Sequence, residues 1–209
     1  MNSTTGIFTG IKEWDEINGR PLFPGLFIVA SSSGIGRVAH MVECVCSMAK
    51  NNEIGVISAD MTNEQFLTRI RSNIGTDNGS NLKLQIKNIR DINDIEDQIK
   101  IWVGKSRVKC VVADFLNLFE VPIGFGDYTS AQEIQYLLAV FSRLSKSLEI
   151  PIIIYVQASR EISGGEPDLS NLLPYASIEE LAYQVSFLQD DSQIILKHKN
   201  GKLGRIKIK

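Results

Sequence analysis

One segment, residues 26–49, joins a short apolar run to a loop rich in glycine and serine and then to a helical stripe. The run Leu26–Ala30 follows a Pro-Gly pair, which is typical of a buried strand after a turn. Beyond the loop, apolar residues recur at helical spacing from Val38 to Ala49 and predict one buried helix face. A strand, a tight loop and a helix in this order leave free backbone N–H groups at the helix N-terminus, which attracts anions.

The loop has the setting of a phosphate-binding P-loop, whose pattern is G-x-x-x-x-G-K-[ST], but not its full set of residues. Gly36 matches the second glycine. Ser31 stands at the first glycine, Arg37 at the lysine and Val38 at the hydroxyl residue. We therefore predict that a nucleotide or a phosphate-like anion binds the loop residues Ser31, Ser32, Ser33, Gly34, Ile35, Gly36, Arg37 and Val38. An ordinary strand–turn–helix is the alternative, and the loop taken alone favours it.

Strand-like and helix-like segments alternate along the rest of the chain. Such alternation predicts an α/β fold with a mostly parallel central sheet covered by helices on both faces. A hairpin signal at Asn200-Gly201 predicts antiparallel strands at one edge of the sheet. The predicted strands are 54–58, 82–86, 108–113, 151–156, 183–188, 193–197 and 205–208, and the predicted helices begin at Thr62 and cover 92–103, 134–148 and 178–181.

Polar residues stand at the ends of three predicted strands: Asp60, Asp114 and Gln157. Ligands of open α/β sheets bind at the carboxyl ends of the strands, so we expect these residues to meet the loop in one crevice. An aspartate after the apolar run 111–113 has the form of a Walker B strand, in which the carboxylate orders Mg²⁺. The alternative is that Asp114 simply terminates its strand.

Length and composition predict one domain over residues 1–209. The longest apolar runs are too short to cross a bilayer, and the N-terminus lacks the basic and apolar regions of a signal peptide. We therefore expect a cytoplasmic protein with no membrane partner. Three cysteines in apolar surroundings predict buried thiols in a reducing compartment. Their spacing does not suit zinc, so no metal site is predicted.

The charge is unevenly distributed along the chain. Residues 197–209 carry six basic and no acidic side chains, out of 22 basic and 24 acidic residues in all. The remainder therefore holds 16 basic and 24 acidic residues, a net charge of −8. A nucleic-acid-binding protein usually presents a broad basic face, so we expect weak, non-specific binding of nucleic acid at most. A solvated terminal hairpin is the simpler interpretation of the basic tail.

The order of these motifs resembles the C-terminal motor domain of the DnaB-type replicative hexameric helicases, which is a RecA-like P-loop ATPase. The resemblance runs from about Thr5 to Lys209. ISADMTNEQ at residues 57–65 is similar to the family segment that carries its catalytic glutamate. VVADFLNL at 111–118 resembles its Walker B strand, and IPIIIYVQASRE at 150–161 resembles the strand with its γ-phosphate-sensing glutamine. SIE at 177–179 and KHKNG at 197–201 resemble two later motifs.

The departures from the family fall on its catalytic residues. Arg37 keeps the charge of the P-loop lysine in a wider, forked group, and Val38 cannot coordinate Mg²⁺ as the family's threonine does. Asp60 stands at the catalytic glutamate with a side chain one methylene shorter. Lys199 stands at the arginine finger that a neighbouring subunit donates, with Lys197 in the same motif. The resemblance thus assigns Asp60, Asp114 and Gln157 to the catalytic set, of which only the last two are unchanged.

The chain also differs from the family in the DNA-binding loop and in the features that join the subunits of the hexamer. SNLLPYA at residues 170–176 replaces the family's SDLRESG, so that Asn171, Leu173 and Ala176 stand at its aspartate, arginine and glycine. The resemblance covers no N-terminal helicase domain. Together with Lys199 at the finger, this predicts a monomer or weak oligomer.

These observations predict a helicase-like core that hydrolyses ATP poorly and acts as a binding or regulatory module in DNA replication or in a mobile-element system. Two alternatives stay open: an active, divergent ATP-dependent DNA helicase in which Arg37 replaces the lysine, and a RecA- or KaiC-like nucleotide sensor without a DNA role. The leading hypothesis requires no cofactor. Its candidate ligands are ATP, ADP or a phosphate-like anion, with Mg²⁺ in doubt because Val38 lacks a hydroxyl, and its expected partner is a replication or helicase protein.

Overall fold

A computed structural model describes residues 7–19, 21–32, 36–74, 82–122, 129–158, 165–172 and 177–208. The helices in these ranges are α1 (Lys12–Asn18), α2 (Arg37–Ala49), α3 (Asn63–Ile74), α4 (Ile92–Lys105), α5 (Ser130–Leu148) and α6 (Ile178–Leu181). The strands are β1 (Gly25–Ser31), β2 (Ile54–Ser58), β3 (Leu84–Asn88), β4 (Cys110–Asp114), β5 (Pro151–Gln157), β6 (Gln184–Gln189), β7 (Ser192–His198) and β8 (Gly204–Lys207). Short 3₁₀ turns cover Leu116–Leu118 and Leu169–Leu172.

The strands form one sheet in the order β3-β2-β4-β5-β1-β6-β7-β8. All pairs from β3 to β6 are parallel, whereas β7 runs antiparallel to both β6 and β8. The predicted fold class is therefore confirmed, including the antiparallel strands at one edge. Among the described residues, none of the helices combines the length and the apolar character that a membrane span requires.

The central strands are apolar throughout because helices cover both faces of the sheet. Successive residues of β1 belong to opposite core layers, with Phe27 in one and Ile28 in the other. One layer holds the buried faces of α1, α2 and α3, and the other holds those of α4, α5 and α6. Continuous apolar runs such as Pro151–Val156 are thus explained by burial on both sides.

The strand order brings the carboxyl ends of β2, β4, β5 and β1 side by side. In the register of the sheet, Ser58 pairs with Asp114 and Ser31 pairs with Gln157. Ser31, at the end of β1, therefore lies at the same edge as the polar residues that end the other strands. This confirms the expectation that these strand ends share one edge of the sheet.

Several elements differ from the sequence prediction. Strands β3 and β4 each begin two residues later than predicted. The 3₁₀ turn Leu169–Leu172 lies outside the predicted strands and helices. Helix α1 was not predicted at all, although its Trp14 is fully buried and donates from Nε1 to Oε1 of Gln184. A seven-residue helix shows too little periodicity for its stripe to be recognised.

Gly55 on β2 offers a test of how tightly the sheet packs against α4. A Cβ added there would lie 2.5 Å from Cε3 and 2.7 Å from Cζ3 of Trp102, whose ring is buried in the core. We expect Gly55→Ala to lower the free energy of unfolding by about 1–3 kcal/mol because the ring must shift. Urea denaturation measures this change.

Gly104→Ala on α4 is the matched control. Apart from its chain neighbours and the nearby backbone of its own helix, no heavy atom of the described residues lies within 4 Å of a Cβ at this position. Alanine there should raise stability by up to about 1 kcal/mol, as expected for a glycine replaced within a helix. Equal effects of the two substitutions would contradict the packing argument.

Candidate nucleotide site

The strand ends place the predicted catalytic residues close together with different exposure. Asp114 ends β4 and is fully buried, whereas Asp60 and Gln157 are exposed. The backbone N–H of Ala59 donates to the carbonyl of Asp114 over 2.8 Å, which places Asp60 one residue from that contact. The structure therefore brings Asp60 and Asp114 to adjacent strand ends, with Gln157 on the next strand.

Side chains that the sequence reasoning missed hold these strand ends in place. Asn88 Nδ2 donates to the carbonyls of Ser58 and Met61 at 2.8 and 3.0 Å and so braces the turn that carries Asp60. Asn117 Oδ1 accepts the backbone N–H of Gln157 at 3.0 Å. An asparagine at or just after the end of a strand is the one sequence signal that could have indicated either residue.

The main charge contact of the site joins Arg37 to Asp114. Arg37 is the first residue of α2 and follows Gly36, whose φ of +82° lies in the left-handed region that favours glycine. Its Nε lies 3.3 Å from Oδ1 of Asp114, and both side chains are buried. The guanidinium carbon lies 4.3 Å from the ring centroid of Phe115, within the range of a cation–π contact. Arg37 thus reaches from the helix after β1 across the end of β5 to the end of β4.

Burial controls the electrostatics of this pair. It raises the pKa of Asp114 to about 6, the Arg37 charge opposes that rise, and the Asp60 charge adds to it. The carboxylate is therefore mostly ionised at pH 7 and neutralises the guanidinium. Even so, no hydrogen bond within the described part of the chain reaches five buried polar atoms: Ser31 Oγ, Arg37 Nε and Nη1, and both carboxylate oxygens of Asp114.

The residues around Asp114 do not fit a divalent cation. Mg²⁺ requires an octahedral set of oxygen ligands. Here a guanidinium lies against the carboxylate, and Val38 offers no oxygen where the P-loop hydroxyl would be. Among the residues that the structure describes, no group of three or more His, Cys, Asp or Glu residues could hold a metal ion. Beside the two carboxylate oxygens, which have no hydrogen bond to the described residues, lie Arg37 Nε and Nη1, whose positive charge repels a metal ion.

The other loop residues are only partly described. Ser31 is fully buried, Ser32 is half-buried and Gly36 is exposed. The predicted loop residues Ser33, Gly34 and Ile35 lie outside the described residues. So do Leu173 and Ala176 of the predicted DNA loop, whose Asn171 is half-buried and accepts from the backbone N–H of Asp168 at 2.7 Å.

A series of buried hydrogen bonds anchors α2 one turn after Arg37. His40 Nδ1 lies 2.8 Å from the hydroxyl of Tyr155, and His40 Nε2 lies 3.2 Å from Oε1 of Gln193. Gln193 Nε2 donates to Ser186 Oγ at 2.9 Å, and that hydroxyl donates to the carbonyl of Ile28 at 3.3 Å. Since the amide oxygen of Gln193 can only accept, His40 donates from Nε2. Burial lowers the pKa of His40 to about 4, so the ring is neutral at pH 7 and Nδ1 accepts from the hydroxyl of Tyr155.

The predicted finger residues Lys197 and Lys199 lie in different surroundings. Lys197 Nζ donates to the carbonyl of Ala182 at 2.6 Å and also to that of Glu179, at the C-terminal end of α6. Burial lowers the pKa of Lys197. Lys199 is exposed. Lys197 therefore holds α6 of its own chain, and Lys199 is the more accessible of the two cations.

Acidic side chains pair with part of the basic tail. Arg205 contacts Glu166 at 3.0 Å, and Lys207 lies 3.7 Å from Asp191. These surface contacts reduce the positive charge that the edge strand β8 presents. They favour the solvated hairpin over a nucleic-acid face.

The three cysteines are free and buried, as predicted. Burial raises the pKa of Cys46 to about 11 and raises those of Cys44 and Cys110 further above their ordinary range. These thiols are therefore protonated at neutral pH and pack as small apolar groups.

The buried hydrogen bonds of His40 predict a pH dependence of stability. Burial lowers the pKa of His40 from 6.5 to about 4, so the unfolded chain takes up a proton that the folded chain refuses between these values. The resulting stability is complete above pH 6.5 and is lost as the pH falls towards 4. Between pH 7 and pH 5, wild-type protein should lose about 2 kcal/mol more than His40→Gln, which does not titrate.

Denaturant unfolding of both proteins at several pH values measures this difference. The raised pKa of Asp114 acts in the opposite direction, since it favours the folded state as the pH falls below about 6. That contribution is common to both proteins and cancels in the comparison. Parallel stability curves would contradict a buried neutral His40.

Lys197→Met should destabilise the protein by about 1–2 kcal/mol, because it removes a charged donor from the last carbonyls of α6. Lys199→Met is the matched control and should change stability by less than about 0.5 kcal/mol, as is usual at exposed sites. Thermal unfolding compares the two. A larger loss in the Lys199 variant would refute the assigned roles.

Known proteins of similar sequence include replicative DNA helicases. The replicative DNA helicase DnaB of Geobacillus stearothermophilus is 26% identical over 98% of this chain and 54% of its own length. A probable plasmid replicative DNA helicase of Chlamydia trachomatis is 25% identical over 86% of this chain and 46% of its own. This chain thus spans about half the length of these relatives.

Two solved structures share the fold. One is the ATPase domain of a further protein, which aligns with 97% of this chain and 87% of its own length, with a TM-score of 0.82 and 18% identity. The other is a DnaB-like replicative helicase, solved in a study of its interactions with primase. It aligns with 97% of this chain and 59% of its own, with a TM-score of 0.83 and 18% identity. The RecA-like fold expected from the sequence is confirmed. The DnaB-like helicase C-terminal domain matches residues 75–209, well over half of the sequence, and the chain belongs to that family.

Proposed function

We propose that this chain is a DnaB-type motor core with impaired ATP hydrolysis, which acts as a binding or regulatory module in DNA replication. The contact between Arg37 and Asp114 carries this proposal. It joins the residue at the P-loop lysine to the residue at the Walker B carboxylate. Two groups that would act on nucleotide and metal are therefore engaged with each other.

A phosphate group competes with Asp114 for the charge of Arg37. To reach a phosphate, the guanidinium must leave a carboxylate that is fully buried. Breaking a buried ion pair costs about 3–5 kcal/mol when one charge stays uncompensated. Nucleotide binding therefore begins with an unfavourable step, and we expect weak affinity for ATP, ADP or a phosphate-like anion.

The attacking water would also be poorly placed. Asp60 is exposed and one methylene shorter than the glutamate of the family pattern. A displacement of about 1 Å in a catalytic group can cost on the order of 100-fold in rate. Val38 adds a second loss, because its side chain packs against the apolar layer and has no hydroxyl. These substitutions act on different steps and reinforce one another.

The context of the relatives suggests where such a module acts. A relative described as a probable plasmid replicative DNA helicase supports a role in DNA replication or in a mobile-element system. The helicase structure solved in a study of primase interactions supports a replication protein as the partner.

Lys199 at the finger lacks the bidentate fork of arginine, so we propose a monomer or weak oligomer. Nucleic acid should bind weakly and in a salt-sensitive way.

ATP turnover by purified protein with Mg²⁺ tests the proposal. We expect hydrolysis close to the background rate. Turnover of about 1 s⁻¹ or more, in the normal range of enzymes, would instead support the active, divergent helicase.

The double variant Arg37→Lys with Val38→Thr completes the test. It should bind nucleotide more tightly than wild-type protein but should not reach full activity, because Asp60 is unchanged. With Mg²⁺ present, adding Asp114→Asn to the double variant serves as the control and should remove the gain, because the introduced hydroxyl then lacks the carboxylate with which it would share the metal ion. An affinity equal to that of wild-type protein would show that Arg37 and Val38 are not the residues that limit binding.

A further inference from the structure

Buried polar atoms without hydrogen bonds to the described residues converge at the carboxyl edge of the sheet. They come from three elements: Ser31 at the end of β1, Arg37 at the start of α2 and Asp114 at the end of β4. Arg37 Nε lies 3.3 Å from Oδ1 of Asp114, yet neither atom has a hydrogen bond to the described residues, so the contact matches charge without hydrogen-bond alignment. The carboxylate is thus neutralised by a side chain that does not satisfy its lone pairs.

A guanidinium and a divalent cation compete for the same carboxylate. Each brings positive charge to Asp114, and the two repel each other strongly where water is excluded. Arg37 holds its place through a third group, because its guanidinium also stacks on the ring of Phe115. Unlike a metal ion, it is tethered to the chain and acts at an effective concentration that no free cation reaches.

We propose that Arg37 is a built-in replacement for the divalent cation, which neutralises Asp114 and closes this carboxylate to Mg²⁺ and Mn²⁺. The inference rests on the proposed function and names the regulation of the same site. It implies that an anion entering the loop is bound without a metal bridge. It also explains why Val38 is tolerated, since a site without a divalent cation needs no hydroxyl ligand.

Neighbouring residues hold the Arg37 side chain in its position against Asp114. His40 lies three residues later on the same helix and is fixed by hydrogen bonds to β5 and β7. Residues three apart share one helix face, so this anchor also orients Arg37. Asp60 adds negative charge at the neighbouring strand end. This charge strengthens the attraction of the site for a cation, whether the guanidinium of Arg37 or a metal ion.

Binding of Mn²⁺, followed by the loss of the free-ion signal in electron paramagnetic resonance, tests the inference. The proteins are wild type, Arg37→Gln, Asp114→Asn and Arg37→Gln with Asp114→Asn, at pH 8 so that Asp114 is ionised. We expect Arg37→Gln to bind Mn²⁺ at least about tenfold more tightly than wild-type protein, as the loss of a repelling charge in a buried site implies. The added Asp114→Asn should abolish that gain.

Arg143→Gln is the matched control, because it removes an arginine paired with a carboxylate, Glu96, on helices α4 and α5, which cover the opposite face of the sheet from α2. It should leave Mn²⁺ affinity unchanged. A folded Arg37→Gln protein that gains no affinity would overturn the inference. So would a gain that survives Asp114→Asn.

A comparison that does not depend on the Arg37 variant uses wild type and Asp114→Asn alone. If Arg37 closes the carboxylate, the two proteins bind Mn²⁺ equally weakly. Loss of Mn²⁺ binding in Asp114→Asn would overturn the inference even where ATP hydrolysis stays at background. Conversely, ATP turnover in a protein that excludes Mn²⁺ would refute the proposed function and leave the inference standing.

Discussion

A buried arginine must find a compensating charge, and this requirement organises the carboxyl edge of the sheet. Arg37 is 5% exposed and occupies the first position of α2. A helix N-terminus already carries partial positive charge and disfavours a cation by about 0.3–1 kcal/mol. Desolvation adds several kcal/mol more. The carboxylate of Asp114 is the acid that the structure places against Arg37, so α2, β4 and the ring of Phe115 depend on one another through this pair.

The same helix is fixed by a second, uncharged set of contacts. His40 is neutral because burial lowers its pKa, and both of its ring nitrogens have hydrogen-bond partners. A fully satisfied polar network in a core specifies one arrangement, since any rotation of the helix leaves several groups unpaired. The rotation of α2 that satisfies His40 is the rotation that aims Arg37 at Asp114. Charge and hydrogen bonding thus select the same geometry.

The fold and the location of the site were predictable from the sequence for a physical reason. Strands buried on both faces are apolar throughout, so β1, β2 and β5 stand out as short runs between helical stripes. Polar residues that end such strands, as Asp60 and Asp114 do, must meet at one edge once the strands are parallel.

The contacts within the site were not predictable, because they depend on strand order: Arg37 follows β1 and Asp114 ends β4, with β5 between them. The contact between His40 and Gln193 spans 153 residues and is equally invisible in the sequence. A sequence motif therefore does not predict which polar residues from distant parts of the chain contact one another in the site.

Arg37 and Val38 are best understood as one coupled change. A threonine at 38 supplies a metal ligand only where the carboxylate of Asp114 is free to share that metal. While Arg37 neutralises Asp114, a hydroxyl at 38 gains no partner ion, and valine gains apolar packing against the α2 layer instead. Conversely, once the hydroxyl is lost, a metal is held less firmly and a tethered cation becomes the more stable neutraliser of a buried carboxylate. Each substitution therefore lowers the cost of the other.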